Sequence, residues 1–200
     1  MKFFGWRMVF TGLTLEFTVV GFIFYSFPVI WPYLISELGM TESQLGMVTA
    51  FYFLPVGILA IVVGRALDKY SVKNFMMIGA VIYAVGLFSL SFINSYGSLL
   101  TIYLTIIALG SIMMGNLAVA KLISNWFDKN AGRALGIAAI GISFSGVVLP
   151  LVVDPLLDLV GWRNVYVIFA SVVLFILLPL IFFTVIDDPK TVNQFKDGIK

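Results

Sequence analysis

The sequence contains no cysteine and no histidine. Their absence excludes disulfides, Cys/His metal sites, Ser-His and Cys-His nucleophile pairs and thiol redox chemistry. Most enzymatic readings end there, and neither a metal nor a cofactor is expected. Charge is scarce as well: 11% of residues are charged, against about a quarter in soluble domains. With 61% hydrophobic residues, the solvent for most of this chain is lipid. The formal net charge of +2 is spread over gaps between apolar runs, which argues against nucleic acid as a partner.

What the chain does have is long apolar runs. A spanning helix needs about 20 apolar residues, and such runs cover 6–34, 44–63, 74–93, 98–121, 132–153 and 163–186. The reading is an all-α membrane protein, a bundle over 1–186 with six transmembrane helices, followed by a cytoplasmic tail or the start of a linker over 187–200. Met1 to Arg7 has the charge of a signal-peptide n-region, but the run behind it is too long, carries Glu16 and two prolines and lacks a small-x-small cleavage site. It is read as a retained first span.

Lysine and arginine accumulate on the cytoplasmic side of membrane proteins. With the N-terminus inside, that side holds Lys2, Arg7, Arg65, Lys69, Lys73, Lys121, Lys129, Arg133, Lys190, Lys196 and Lys200, and Arg163 alone lies outside with Glu37, Glu42, Asp154 and Asp158. This orientation places both ends in the cytoplasm of a multi-pass protein of the cell inner or plasma membrane. Trp6, Trp31, Trp126 and Trp162 fall at predicted membrane edges, as an aromatic belt requires.

Small residues let helices approach closely in lipid. Gly46, Ala50, Phe53, Gly57, Ala60 and Gly64 share one side of the second span and lead into a polar connector over 64–73. In the fifth span, Gly132, Gly136, Ala139, Ser143, Gly146 and Pro150 form one stripe and Ala134, Ala138, Gly141 and Ser145 another, so this helix is expected to be buried on most sides. In the first span, Thr14, Thr18, Gly21, Tyr25, Pro28 and Pro32 recur at helical spacing, with Glu16 pointing roughly opposite. Either that stripe lines a pathway and Glu16 pairs within the bundle, or Glu16 faces the pathway and the stripe packs.

Glu16 lies about nine residues past Arg7, roughly 14 Å along the axis and near mid-membrane. A carboxylate there costs about 3 kcal/mol by insertion scales and must be protonated, paired or facing water. Its functional reading is a proton-carrying or cation-coupling group, its structural reading a neutral acid bonded to a hydroxyl. Lys121 has a stem long enough to snorkel to the interface, whereas Asn116 must hydrogen-bond across helices or to a ligand. Tyr25 is a candidate lining residue. Gly141 to Gly146 has the wrong spacing for a serine-hydrolase elbow, and no histidine exists to serve it.

The connector Gly64-Arg65-Ala66-Leu67-Asp68-Lys69-Tyr70-Ser71-Val72-Lys73, read with the six-span pattern, resembles the loop between helices two and three of the major facilitator superfamily. It keeps Gly64, Asp68, a basic Lys69 and Lys73 of the signature, with Ser71 and Val72 where glycine and arginine are usual. Gly5-Trp6-Arg7, the stretch Trp126 to Ile137 and Gly161-Trp162-Arg163 resemble its oxalate/formate antiporter and monocarboxylate transporter branch. The resemblance implies half of a twelve-helix fold, built from two inverted three-helix repeats, with the substrate held against a second six-helix half. It further implies small carboxylate substrates moved with protons or against a counter-anion, Tyr25 among the lining residues, and a cytoplasmic gating loop made of Gly64, Arg65, Asp68, Lys69 and Lys73. The arginine of the superfamily's fourth helix has no counterpart around Ile106, so that coupling scheme does not carry over. No mid-membrane Arg or Lys is present, so a cation for an anion site would come from the other half. The expected function is therefore one half of a secondary transporter for a small organic anion, a monocarboxylate, by alternating access, and truncation at Lys200 is preferred to a half-size protein that dimerises. The alternatives are a transporter of another small solute and a non-transporting six-span subunit or sensor.

Overall fold

The computed structural model describes residues 3–198, so Lys2 and Lys200 lie outside the described residues. Among the described residues, five helical runs are long and apolar enough to cross a membrane: α1 (Gly5–Leu38), α2 (Glu42–Leu67), α3 (Val72–Leu90), α4 (Tyr96–Trp126) and a run over Ala131–Thr184. The last is not one rod. Gly161 has φ 77° and ψ 158°, a backbone conformation that favours glycine, and it divides the run into α5 (131–160) and α6 (162–184). The chain reverses there, because the indole of Trp126, just before α5, donates to the Ile186 carbonyl just after α6 at 2.6 Å. Six spanning segments result.

Local chemistry explains the helix ends. Thr41 and Gln44 form a capping box at the start of α2, and Ser95 and Ser98 form another at the start of α4, each satisfying backbone donors that a helix start leaves open. Gly39 ends α1 in the left-handed conformation. The connector after α2 is shorter than its polarity suggests. Gly64 to Leu67 are still helical, Asp68 is the cap, and Ser71 accepts from Asn74 N–H to open α3. Polar residues near a membrane surface extend a helix as readily as they end it, since straight-chain Arg and Lys have high helix propensity.

Packing pairs α1 chiefly with the α5–α6 run and α3 with α4. Two glycines set these distances. A Cβ at Gly141 would meet the Leu13 carbonyl oxygen, and one at Gly110 would lie 2.5 Å from the Tyr83 backbone nitrogen. On α5 the stripe Ala134, Ala138, Gly141 and Ser145 is buried, but Gly132, Gly136, Ala139 and Ser143 are open. The expectation that this helix is covered on most sides is thus corrected: the stripe facing α1 is buried, while of the other stripe only Gly146, against the Tyr25 ring, and Pro150 are partly covered. The small face of α2 is open as well, with nothing within 4 Å of a Cβ at Gly46 or Gly57. The tryptophans also depart from a lipid-facing belt. Trp126 and Trp162 are fully buried and only Trp6 is clearly exposed, because the indoles of Trp126 and Trp162 fill the bundle's ends.

One end of the bundle carries the basic loops and is tied together by the segment after α6. Asp187 accepts from Lys73 N–H at 2.7 Å, Gln194 accepts from Phe4 N–H at 3.0 Å, and Lys196 donates to the Ser124 carbonyl at 2.9 Å. Asp197 accepts from the N–H groups of Asp128, Lys129 and Asn130 before α5. Partial desolvation works to raise the Asp197 pKa, but the donors from Lys129, Asp128 and Asn130 outweigh it and hold the carboxyl below its ordinary 3.8. At the opposite end, Arg163 pairs with Glu37 at 2.5 Å and Tyr33 donates to Asp158 at 3.0 Å.

Candidate functional site

The most costly side chain in the bundle is Glu16, 2% exposed on α1. Its Oε2 has no hydrogen-bond partner, and the Asn116 amide of α4 is the polar side chain that faces the carboxyl. Asn116 reaches this position through a break in α4. Gly115 has φ −90° and ψ −142°, outside the helical region, and a new helical segment starts at Asn116 with no side-chain cap. Gly115 N–H still donates to the Ser111 carbonyl at 2.8 Å, and its own carbonyl accepts from Val119 N–H at 2.9 Å, so the break is local.

Together the two side chains line a cavity of about 370 Å³, completed by Val119 and Ala120 of α4 and Leu135 and Ala138 of α5. Glu16 is its titratable lining residue. An unpartnered buried acceptor beside an otherwise apolar cavity is an invitation to a proton, a donor group or a cation. Of the stripe opposite, Thr18 and Gly21 are packed, Thr14 and Tyr25 are half-buried, and Pro28 and Pro32 are exposed. Thr18 is buried and donates back to the Thr14 carbonyl, and Gly21 is wedged against Leu149 and Ser145 of α5. Tyr25 lies outside this cavity, with its ring against Gly146, so the structure brings Glu16 and Asn116 together and leaves Tyr25 more than two turns away along α1.

A second cavity of about 440 Å³ adjoins the first through Ala120 and Leu135 and opens toward the basic end beside Gly64, Asp68 and Lys121. Lys121 does more than reach the interface. Its Nζ donates to Asp68 Oδ1 at 2.5 Å, joining the α2 end to α4 and giving Asp68 a partner within this chain. Of the other loop residues, Arg65 and Lys69 are exposed, and the Lys73 ammonium stands 4.9 Å from the centre of the Phe182 ring.

Sequence reasoning missed the buried hydroxyls around this site. Tyr83 donates to the Val19 carbonyl at 2.8 Å, and Tyr52 and Ser111 share a hydrogen bond at 2.6 Å. The single signal for the α4 break was a glycine directly before the polar Asn116, which is indistinguishable in sequence from a packing glycine.

A bundle of long apolar helices with a buried carboxyl at a cavity is an architecture that membrane transport folds share. Residues 9–199 match the family model of the Major Facilitator Superfamily, and the chain belongs to that superfamily, a family of membrane transporters rather than enzymes. It is 26% identical over 160 residues to the MFS-type transporter pynF of Aspergillus niger, covering 79% of this chain and 36% of that protein. It is 26% identical over 165 residues to a probable hexose phosphate transport protein of Chlamydia trachomatis, covering 80% and 35%. The chain therefore spans about a third of the length of these curated relatives. Among solved structures, a bacterial homologue of the human lysosomal transporter Spinster, inward-facing and unoccupied, superposes with a TM-score of 0.67 at 16% identity, over 92% of this chain and 42% of that one. That likeness concerns the fold.

Proposed function

We propose that this chain is the N-terminal half of a secondary transporter that moves a small organic anion, a monocarboxylate, by alternating access, with Glu16 as the coupling group. The observation that carries the proposal is the buried Glu16 carboxyl, with a free Oε2, on a cavity it shares with Asn116. An anion cannot settle beside an ionised carboxylate in a low-dielectric cavity without strong repulsion. A proton on Glu16 removes that repulsion and turns the carboxyl into a donor, so proton and anion favour each other's binding. Asn116 orients the carboxyl, and the cation an anion needs comes from the second six-helix half. The open small-residue faces of α2 and α5 are the surfaces that half would cover. The relative named for hexose phosphate supports an organic anion as cargo.

In the same reading the basic end faces the cytoplasm, and the Asp68–Lys121 pair with Gly64, Arg65, Lys69 and Lys73 forms the gating loop there. Tyr25 lines the pathway on the far side of Glu16. The deciding experiment is lactate and formate uptake into proteoliposomes, under an imposed pH gradient, by the chain joined to its second half. Glu16→Gln is expected to abolish proton-driven accumulation while leaving the protein folded. Uptake by Glu16→Gln with an unchanged pH dependence would sink the coupling role, and a lack of flux with every carboxylate tried would favour a non-transporting membrane subunit.

A further inference from the structure

At the end opposite the basic loops, a crevice of about 330 Å³ lies between the end of α3 and the start of α6, lined by Ser91, Phe92, Asn94, Arg163, Asn164 and Val167. It shares no residue with the Glu16 cavity. We infer that it binds the phosphate of an anionic phospholipid, with one acyl chain lying along the exposed face of α3.

The head of the site is built around Arg163. Its guanidinium carbon sits 4.1 Å from the centre of the fully buried Trp162 ring, which fixes the plane of the fork at a small entropic cost. One nitrogen, Nη1, is used by Glu37. A guanidinium has five N–H donors, and with 40% of the side chain exposed the others remain available to a phosphate, whose geometry they match bidentately. Asn94 is exposed and makes no hydrogen bond among the described residues, so its amide is a second free donor. Ser91 and Asn164 are already committed, to the Phe88 and Val160 carbonyls, and hold the walls in place. The helix that starts at Trp162 adds the positive end of its dipole.

The tail of the site is the stripe Ile78, Val81, Val85 and Phe88 on α3, all exposed at spacings of three and four, with Phe92 exposed in the turn just beyond the helix. From Ile78 to Phe88 it extends over about 15 Å at 1.5 Å per residue, and Phe92 carries it to the crevice. One leaflet contributes about 15 Å of hydrocarbon, so the stripe is long enough to carry an acyl chain from the headgroup to the bilayer centre. Ile168 and Phe175 of α6 are exposed as well and flank it. A soluble anion would use the crevice and leave the stripe idle. A phospholipid uses both.

Native mass spectrometry of the protein released from mixed micelles tests this, with palmitoyl-oleoyl-phosphatidylglycerol as the probe, palmitoyl-oleoyl-phosphatidylcholine as the uncharged control, and sn-glycerol 3-phosphate as the soluble phosphate. One phosphatidylglycerol is expected to be retained in preference to phosphatidylcholine and to resist displacement by glycerol phosphate. Arg163→Gln is expected to weaken retention about tenfold or more, the value of a charge-assisted hydrogen bond. Asn94→Asp sits at an exposed position with no bond to lose, so it folds regardless of Arg163, and it is expected to weaken retention too. Glu37→Gln frees Arg163 and is expected to tighten it. Equal retention of the two lipids, wild-type retention by both Arg163→Gln and Asn94→Asp, or loss of the lipid in Glu37→Gln would overturn the proposal. Displacement by glycerol phosphate at matched concentration would assign the crevice to soluble phosphates and overturn it equally.

Discussion

Replacing Gly115 by alanine tests the link between the break in α4 and the Glu16 site. The added Cβ would lie 2.7 Å from the Ser111 carbonyl oxygen and 3.3 Å from Val19 Cγ1. The Ser111 oxygen cannot retreat freely, because it accepts the Gly115 N–H at 2.8 Å; giving up that bond costs about 0.5–1.5 kcal/mol. That cost applies if nothing around Gly115 relaxes. Relaxation means a straighter α4, which swings Asn116 away from Glu16. Unfolding of the protein in mixed micelles by titration with sodium dodecyl sulfate measures the first effect. The internal control is Gly97→Ala at the start of α4, away from the open faces of α2 and α5, where nothing lies within 4 Å of the new methyl and no loss of stability is expected. Proton-driven uptake measures the second, and Gly115→Ala is expected to slow it in the manner of Asn116→Ala. A Gly115→Ala protein as stable as Gly97→Ala, with normal uptake, would refute the role assigned to the break.

Tyr83→Phe removes the donor to the buried Val19 carbonyl and is expected to destabilise the bundle by about 1–3 kcal/mol, the cost of an orphaned buried acceptor, read in the same micelle titration. The Asp68–Lys121 pair has side chains 68% and 32% exposed, so a double-mutant cycle with Asp68→Asn and Lys121→Met is expected to give a coupling of about 0–1 kcal/mol in stability. Its larger effect is expected in function: Asp68→Asn slows uptake without altering substrate preference, and an altered preference at normal rate would refute a gating role. Asp197 is held below its ordinary value of 3.8, so its ties to the 128–130 backbone are present above that pH and lost as the pH falls through the lower folded-state value. Protection of the Lys129 amide, its exchange relative to the intrinsic rate at each pH, is expected to fall in acid for the wild type and to be low and flat with pH in Asp197→Ala.

The class of this protein was legible because lipid imposes a simple rule. Backbone polar groups must be satisfied within each segment, so apolar runs of spanning length are helices, and the alternation of charged connectors orders them. Gly64, Asp68 and Lys73 then pointed to the superfamily that the family match bears out. The limits of each helix were harder to read. Gly64 and Arg65 sit in polar surroundings yet belong to α2, since polarity marks where water begins and a helix continues into water until a cap stops it. Glu16 and Asn116 were each visible as residues out of place, but their juxtaposition depends on the conformation of Gly115, which no local pattern distinguishes from Gly110 or Gly141. The inward turn of Trp126 and Trp162 escaped the pattern for a related reason. An indole at a helix end fits either lipid headgroups or a neighbouring helix, and the choice rests on a carbonyl such as that of Ile186, sixty residues away in sequence.

The irregular backbone has a consistent location. Wide, π-type turns interrupt α1 at Gly21–Tyr25, α4 at Tyr103–Ile107 and α6 at Val173–Leu177. In lipid a wide turn is tolerable only where another group takes the carbonyl it displaces. Around the α1 turn the Gly21 carbonyl accepts both the N–H and the Oγ of Ser26 at 2.9 Å, Tyr83 of α3 donates to the Val19 carbonyl, and Tyr103 of α4 approaches the Ile23 carbonyl at 3.5 Å, the long limit of a hydrogen bond. Phe22 stacks on Phe169 of α6 with ring centres 3.9 Å apart. The half of α1 beyond Glu16 is therefore pinned to α3, α4 and α6 at the point where it would otherwise bend. Three neighbours cannot all follow an independent hinge motion of one helix without breaking these contacts, so displacement of the Glu16 carboxyl relative to the two membrane faces must come from movement of the whole bundle against whatever covers the open stripes of α2 and α5.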